Sequence, residues 1–185
     1  MEKIFAYDEK ISQWIQKNCR RSWLDKPMQI VTHLGDLGFI WLIWAAWLFR
    51  DNRVESVLLF GSIACCCIIC NLIMKPLFAR ERPFEDEDVE LLIAEPTDHS
   101  FPSGHTMASF TAASTLIWMF GGWVGAAALI LAILIGWSRL YLYVHHPSDV
   151  AAGALFGSIL GSICVNLGGE FAVKLAEFTV FMLGM

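Results

Sequence analysis

Three short polar clusters interrupt an otherwise apolar chain, and each carries residue types able to handle a phosphate. The first runs from Lys75 through Arg82 to Pro83, the second is Pro102-Ser103-Gly104-His105, and the third extends from Ser138-Arg139 through His145 to Asp149. Lys75 and Arg82 stand seven residues apart. A helix continuing past Lys75 would hold both on one face, about two turns apart, until Pro83 stopped it. A planar guanidinium grips two phosphate oxygens at once, and an ammonium adds a compact charge. Basic residues at the end of an apolar helix also act as snorkelling or topology determinants, so this cluster alone decides little.

The second cluster precedes an apolar run, which puts its backbone amides at a helix amino terminus, where unpaired N–H groups and the positive dipole end favour an anion. Gly104 lets a phosphate approach the backbone, the Ser103 hydroxyl can donate to it, and His105 would stand beside it to exchange protons. A serine cap beside an interfacial histidine explains the same residues. The third cluster is more specific. His145 and Asp149 are four apart, with Pro147 and Ser148 starting a helix between them. The carboxylate is thus placed to reach the imidazole Nδ1–H and leave Nε2 free to attack phosphorus. Arg139, six residues before His145, offers a second bidentate donor.

The elements that must carry these clusters are membrane helices. Of the 185 residues, 56% are hydrophobic and 17% charged, too apolar for an ordinary soluble domain. Nearly uncharged stretches of about 20 residues match the length needed to cross ~30 Å of hydrocarbon. Spans are expected at about 28–48, 54–74, 104–120, 123–142 and 149–167, with a weaker sixth segment over about 170–185. Residues 1–27 mix Ile4, Phe5, Ile11, Trp14, Ile15 and Trp23 with lysines and arginines, the pattern of an amphipathic helix on the membrane surface. The expected fold is therefore all-α: a polytopic bundle of five to six spans over 28–185 plus an interfacial helix over 1–27, with the polar motifs within 75–149. Parity brings all three clusters, and residues 1–27, to one side of the membrane.

Other features carry less chemistry. Cys65, Cys66, Cys67 and Cys70 lie inside an apolar run and read as small buried hydrophobes rather than metal ligands. Trp41, Trp44 and Trp47, and later Trp118, Trp123 and Trp137, read as interfacial anchors. Gly153, Gly157 and Gly161 suit close helix packing. The connection from Lys75 to Ser103 is long enough to be functional, and its acidic stretch from Glu85 to Asp98 reads as solvated, as tuning access of anionic headgroups or as recruiting a cation. A net charge of −5 with no basic face of useful size outside the amino-terminal segment argues against a nucleic-acid partner. His33, Asp36 and Asn71 read as polar packing near span ends.

Taken together, Lys75-x6-Arg82-Pro83, Pro102-Ser103-Gly104-His105 and Ser138-Arg139-x5-His145-x3-Asp149 resemble the signature of the type 2 phosphatidic acid phosphatase family, which also covers the soluble vanadium haloperoxidases. All three motifs are complete and in order. The resemblance implies hydrolysis of a lipid phosphate or diphosphate. His145 would form a phosphohistidine, Asp149 would orient it, and His105 would protonate the leaving oxygen and then activate water. Lys75, Arg82, Ser103, Gly104 and Arg139 would hold the phosphate, and no metal or other cofactor is expected. The motifs read the phosphate and not the tail. The short chain is similar to small bacterial members acting on undecaprenyl diphosphate, with phosphatidate or phosphatidylglycerophosphate as the alternative. The implied location is the bacterial cytoplasmic membrane with the site facing outward, although Lys3, Lys10, Lys17, Arg20, Arg21 and Lys26 on the catalytic side run against the positive-inside rule. A transporter would put its polar residues at the bilayer midplane, and a non-catalytic lipid-binding scaffold would have no need of both His105 and His145.

Overall fold

The computed structural model describes residues 2–85 and 90–183, and among these there is no strand. The helices in chain order are α1 (Glu2–Cys19), α2 (Ser22–Leu34), α3 (Phe39–Leu48), α4 (Arg53–Ile68), α5 (Lys75–Phe78), α6 (Gly104–Phe120), α7 (Gly122–Tyr141) and α8 (Pro147–Leu183). A 3-10 turn at Asp36–Gly38 joins α2 to α3, and a π-helical stretch at Ile69–Met74 joins α4 to α5. The fold is a membrane helical bundle. Among the described residues three helices are long and apolar enough to cross a bilayer: Arg53–Phe78, Gly122–Tyr141 and Pro147–Thr179. Ser22–Leu34 and Asp36–Leu48, bent by 50° at their junction, are together long and apolar enough to cross as well.

The central helix is α6, which packs against α4, α7 and α8. Its contact with α8 is close because α8 presents a glycine every fourth residue. A Cβ at Gly153 would come within 2.9 Å of the Ser103 carbonyl oxygen, and one at Gly157 or Gly161 would run into the Met107 or Thr111 carbonyl. Small residues at this spacing let two backbones touch where there is no hydrophobic effect to drive helices together. Ala112, Ala113 and Leu116 of α6 meet Ala128, Ala132 and Ile135 of α7 and Leu59 and Ile63 of α4 in the main core.

Four sequence expectations change shape here. The fifth and sixth apolar segments are one continuous helix: α8 runs 37 residues, about 55 Å of rise, because nothing between Leu167 and Phe171 breaks it and Gly168-Gly169 is tolerated inside it. Trp41 is not an anchor but a core residue, 0% exposed, stacked on Trp44 and donating to Ser109 Oγ at 3.1 Å. Trp47, Trp118 and Trp123 do face outward. The helix leading to Lys75 ends at Phe78, where Ala79 turns left-handed with φ 42°, so Lys75 and Arg82 are not on one helical face. Residues 20–21 separate α1 from α2, which puts residue 27 inside α2.

Helix α1 turns Tyr7, Ile11 and Trp14 outward and buries Asp8, Ser12 and Ile15 against the bundle. It is fastened by polar contacts: Gln16 Nε2 donates to the Leu140 and Tyr141 carbonyls at the end of α7. Asp8 caps the start of α8, its Oδ1 accepting from Ser148 N at 3.0 Å and Oδ2 from the Ser148 hydroxyl. A cap supplied by another helix satisfies amides that α8 would otherwise leave open.

Candidate active site

All three motifs meet at one end of the bundle around a cavity of about 260 Å³. Its wall includes Lys75, Arg82, Gly104, His105, Arg139 and His145 from the motifs, and Thr32, His33, Asp36 and Asp98 from outside them. Different local devices aim each group. The π-helical turns at Ile69–Met74 change the helical phase just before Lys75, a distortion frequent at functional sites. Beyond it the chain leaves the helix at Ala79 and brings Arg82 back over the cavity. Gly104 opens α6, and a Cβ there would sit 3.4 Å from Lys75 Nζ, so the bare backbone lets the ammonium close on the helix end.

The protonation of His145 follows from its partners. Arg82 Nη1 lies 3.3 Å from His145 Nε2, and a guanidinium has no acceptor. Nε2 must therefore present its lone pair, and the ring hydrogen is on Nδ1. Asp149 Oδ2 is 3.7 Å from Nδ1, beyond hydrogen-bond reach, and the Ser100 hydroxyl stands between them. It lies 3.4 Å from Nδ1 and donates to Asp149 Oδ2 at 2.5 Å. The link from histidine to carboxylate thus runs through a serine that no motif reading singled out. Asp149 is held further by His146 N at 2.8 Å and by Arg80 Nη1, which donates to Oδ1 at 2.7 Å. Arg80 Nη2 binds Asp8 Oδ2 at 2.8 Å, so α1 is tied to Asp149 through one guanidinium. His145 is 2% exposed and Asp149 0%, and burial, with Arg82 and Arg139 close by, holds the His145 imidazole well below its ordinary proton affinity.

The cations are not equally free. Arg82 is 2% exposed, and its donors are spread over the Asp98 carbonyl at 2.8 Å, Asp98 Oδ1 at 2.6 Å, the Val144 carbonyl at 2.6 Å and His145. The Asp98 carboxylate also pairs with Lys75. Burial alone would raise the Asp98 pKa, but Lys75 and Arg82 overcome it and hold the group at about 2. A carboxylate therefore sits across the two cations of the first motif. Arg139, 3% exposed, donates to Thr32 Oγ1 at 2.5 Å, while its Nε has no partner among the described residues. An unsatisfied buried guanidinium N–H is costly unless a ligand takes it.

Ser103 does not line the cavity: it is 0% exposed and its hydroxyl accepts from Thr106 at 2.9 Å. Asp36, read as packing from sequence, is at the wall, with Oδ1 2.7 Å from His105 Nε2 and Oδ2 2.8 Å from His33 Nδ1. Of the acidic stretch, Asp86, Glu87 and Asp88 lie outside the described residues; Leu91, Leu92 and Ile93 pack with Phe84 on Tyr141, Leu142 and Val144, which pins the loop over the site. Arg80, Ser100, Asp36 and Asp98 were the residues sequence reading missed. A charged residue in an apolar span was the available signal for Asp36.

Known proteins share this sequence family and this fold. An undecaprenyl-diphosphatase of Sulfolobus acidocaldarius is 33% identical over 142 residues, covering 75% of this chain and 68% of that one. The crystal structure of a PAP2-type phosphatidylglycerolphosphate phosphatase from Bacillus subtilis superposes with a TM-score of 0.77 at 26% identity, over 92% of this chain and 88% of that one. Aquifex aeolicus LpxE gives 0.73 at 31% identity, over 85% and 93%. The profile of the PAP2 superfamily matches residues 55–171, which span all three motifs, and the chain belongs to that superfamily.

Proposed function

We propose that this protein is an integral membrane hydrolase that removes the terminal phosphate of a lipid phosphate or diphosphate through a phosphohistidine on His145. The observation that carries the reading is the donor-only contact from Arg82 to His145 Nε2, which leaves a buried, neutral imidazole with its lone pair toward a cavity walled by Lys75, Arg82 and Arg139. Such a cavity suits a phosphoryl group, whose charge spreads over oxygens that guanidinium and ammonium groups hold. In the first step Nε2 attacks phosphorus, the bond to the leaving oxygen breaks, and His105 supplies that oxygen with a proton. In the second, water attacks the phosphohistidine, gives its proton to His105, and phosphate leaves. Asp149 orients His145 through Ser100. Lys75, Arg82 and Arg139 hold the phosphate, with the backbone at Gly104 beside them.

The favoured substrate is undecaprenyl diphosphate, on the likeness to the Sulfolobus acidocaldarius relative. Phosphatidylglycerophosphate or phosphatidate is the second reading, supported by the Bacillus subtilis structure. The site is proposed to face outward from a bacterial cytoplasmic membrane and to need no metal. Purified protein in detergent with EDTA, given the three lipids in parallel, should release phosphate, and His145→Ala should not. Equal release by the variant would refute His145 as nucleophile. Labelling of single cysteines introduced in α1 from one side of sealed vesicles would decide sidedness.

A further inference from the structure

We infer that Asp36, oriented by His33, is a positioning residue for His105, holding one edge of its ring so that the other nitrogen exchanges the proton with substrate. This rests on the proposed function for the role of His105, and on geometry for the rest. The bent span is what delivers Asp36: Leu37 and Gly38 both have positive φ, 50° and 72°, which swings the chain through 50° and turns the carboxylate toward α6. Two adjacent atoms of the His105 ring meet this bend. Nε2 lies 2.7 Å from Asp36 Oδ1, and a Cβ on Gly35 would come within 2.9 Å of Cδ2, so only a glycine lets the ring seat there. The second carboxylate oxygen is taken by His33 Nδ1 at 2.8 Å, which fixes the plane of the carboxylate.

The charges around His105 explain why such a group is needed. Lys75 from α5 and Arg139 from α7 face the same cavity, and both oppose a positive imidazole; Asp98 in the loop is already paired with Lys75 and Arg82, and His145 is neutral. Asp36 is thus the carboxylate that supports the imidazolium form directly, as an orienting carboxylate does for a catalytic base. With Nε2–H given to Asp36, the proton for the leaving oxygen comes from Nδ1. The Nδ1–H bond breaks as the O–H bond forms, the electrons of the P–O bond go to that oxygen, and His105 is left neutral with Nε2–H still on Asp36. Water attacking the phosphohistidine then returns a proton to Nδ1.

The test compares wild type with Asp36→Asn, which keeps shape and loses charge, and with His33→Gln. Read as kcat/KM, which reports the steps through the first phosphoryl transfer, Asp36→Asn should fall about 30-fold or more on phosphatidate, whose alkoxide needs a proton to leave. On p-nitrophenyl phosphate, whose phenolate leaves as a stable anion, it should fall less than about threefold. The basic limb of the pH profile should move down by about one unit, with His33→Gln moving it less. Equal losses on both substrates, or no loss on either, would overturn the inference. The titration of His105 itself, followed by 15N NMR of labelled histidine in the intact protein, needs no turnover. It should shift to lower pH in Asp36→Asn, and an unmoved titration would overturn the inference even if the protein proved to hydrolyse no phosphate ester. Inactive wild type with a shifted titration would instead sink the proposed function and leave the Asp36 assignment standing.

Discussion

The two ends of the bundle solve opposite problems. At one end Lys75, Arg82, Arg139, His145 and Asp149 are all under about a tenth exposed, and hydrogen bonds to them join α2, the loop after α5, α7 and α8, with α1 tied in through Arg80. At the other, α3, α4 and the far part of α8 leave an apolar groove of about 700 Å³ lined by residues such as Ala46, Phe60 and Phe171. The difference teaches where specificity is stored. A buried charge is tolerated only when every partner is in place, so a polar network admits one arrangement. Apolar side chains facing lipid or a groove have many near-equivalent neighbours, and a lost contact there has a small effect.

Substitutions should expose that contrast in order of size. His145→Ala should remove turnover by more than about 10⁴-fold, measured as phosphate release, because it deletes the attacking atom. Arg80→Ala should lower kcat by about 100-fold, since it frees Asp149 Oδ1 and cuts the link to Asp8 without touching substrate. Were Arg80→Ala to leave kcat unchanged, the claim that the catalytic end works as one network would fail. Asp98→Asn should tighten inhibition by inorganic phosphate about 10-fold, because phosphate no longer displaces a carboxylate from Lys75 and Arg82; the phosphate-free variant should also melt lower. At the far end, Phe171→Ala should change kcat/KM by less than about twofold, and a larger loss would mean the two ends are coupled.

Acidity gives a further probe of the catalytic end. The His145 imidazole is held below its ordinary value of 6.5 by burial, so it remains neutral in the empty site at pH values where the unfolded chain takes up a proton. Protons bound only in the unfolded state lower stability as pH falls, so stability should decline below about pH 6.5. kcat/KM should hold across the same range, because the free enzyme keeps its nucleophile unprotonated. Asp98, held at about 2, contributes stability above about pH 4 that is lost as pH falls towards 2. A kcat/KM that dropped near pH 6.5 with a single histidine titration, still present in a variant in which His105 is replaced, would place that limb on His145 and contradict its burial.

Much of the site was legible in the chain itself. Motif residues His145, His105, Lys75, Arg82 and Arg139 line one cavity because charged groups in an apolar chain have few places to go, and parity sends three interhelical clusters to one side. The apolar runs likewise fixed the class of fold, since helices satisfy their own backbone in lipid. Local pattern could not show that Ser100 stands between His145 and Asp149, that Arg80 reaches from Asp149 to Asp8, or that Asp98 bridges Lys75 and Arg82. Each of these links residues between 16 and 72 positions apart, and only packing brings such partners together. Asp36 is the clearest case. In sequence it is one carboxylate inside an apolar stretch, a signal that marks the residue but names no partner for it. It becomes the partner of His105 only because a left-handed turn at Leu37 and Gly38 bends the span, and because Gly35 leaves room for the ring. Residue type and period determined which elements form and which groups could do chemistry. Tertiary structure decided which groups touch, because hydrogen-bond geometry is set to tenths of an ångström by the packing of helices far apart in the chain.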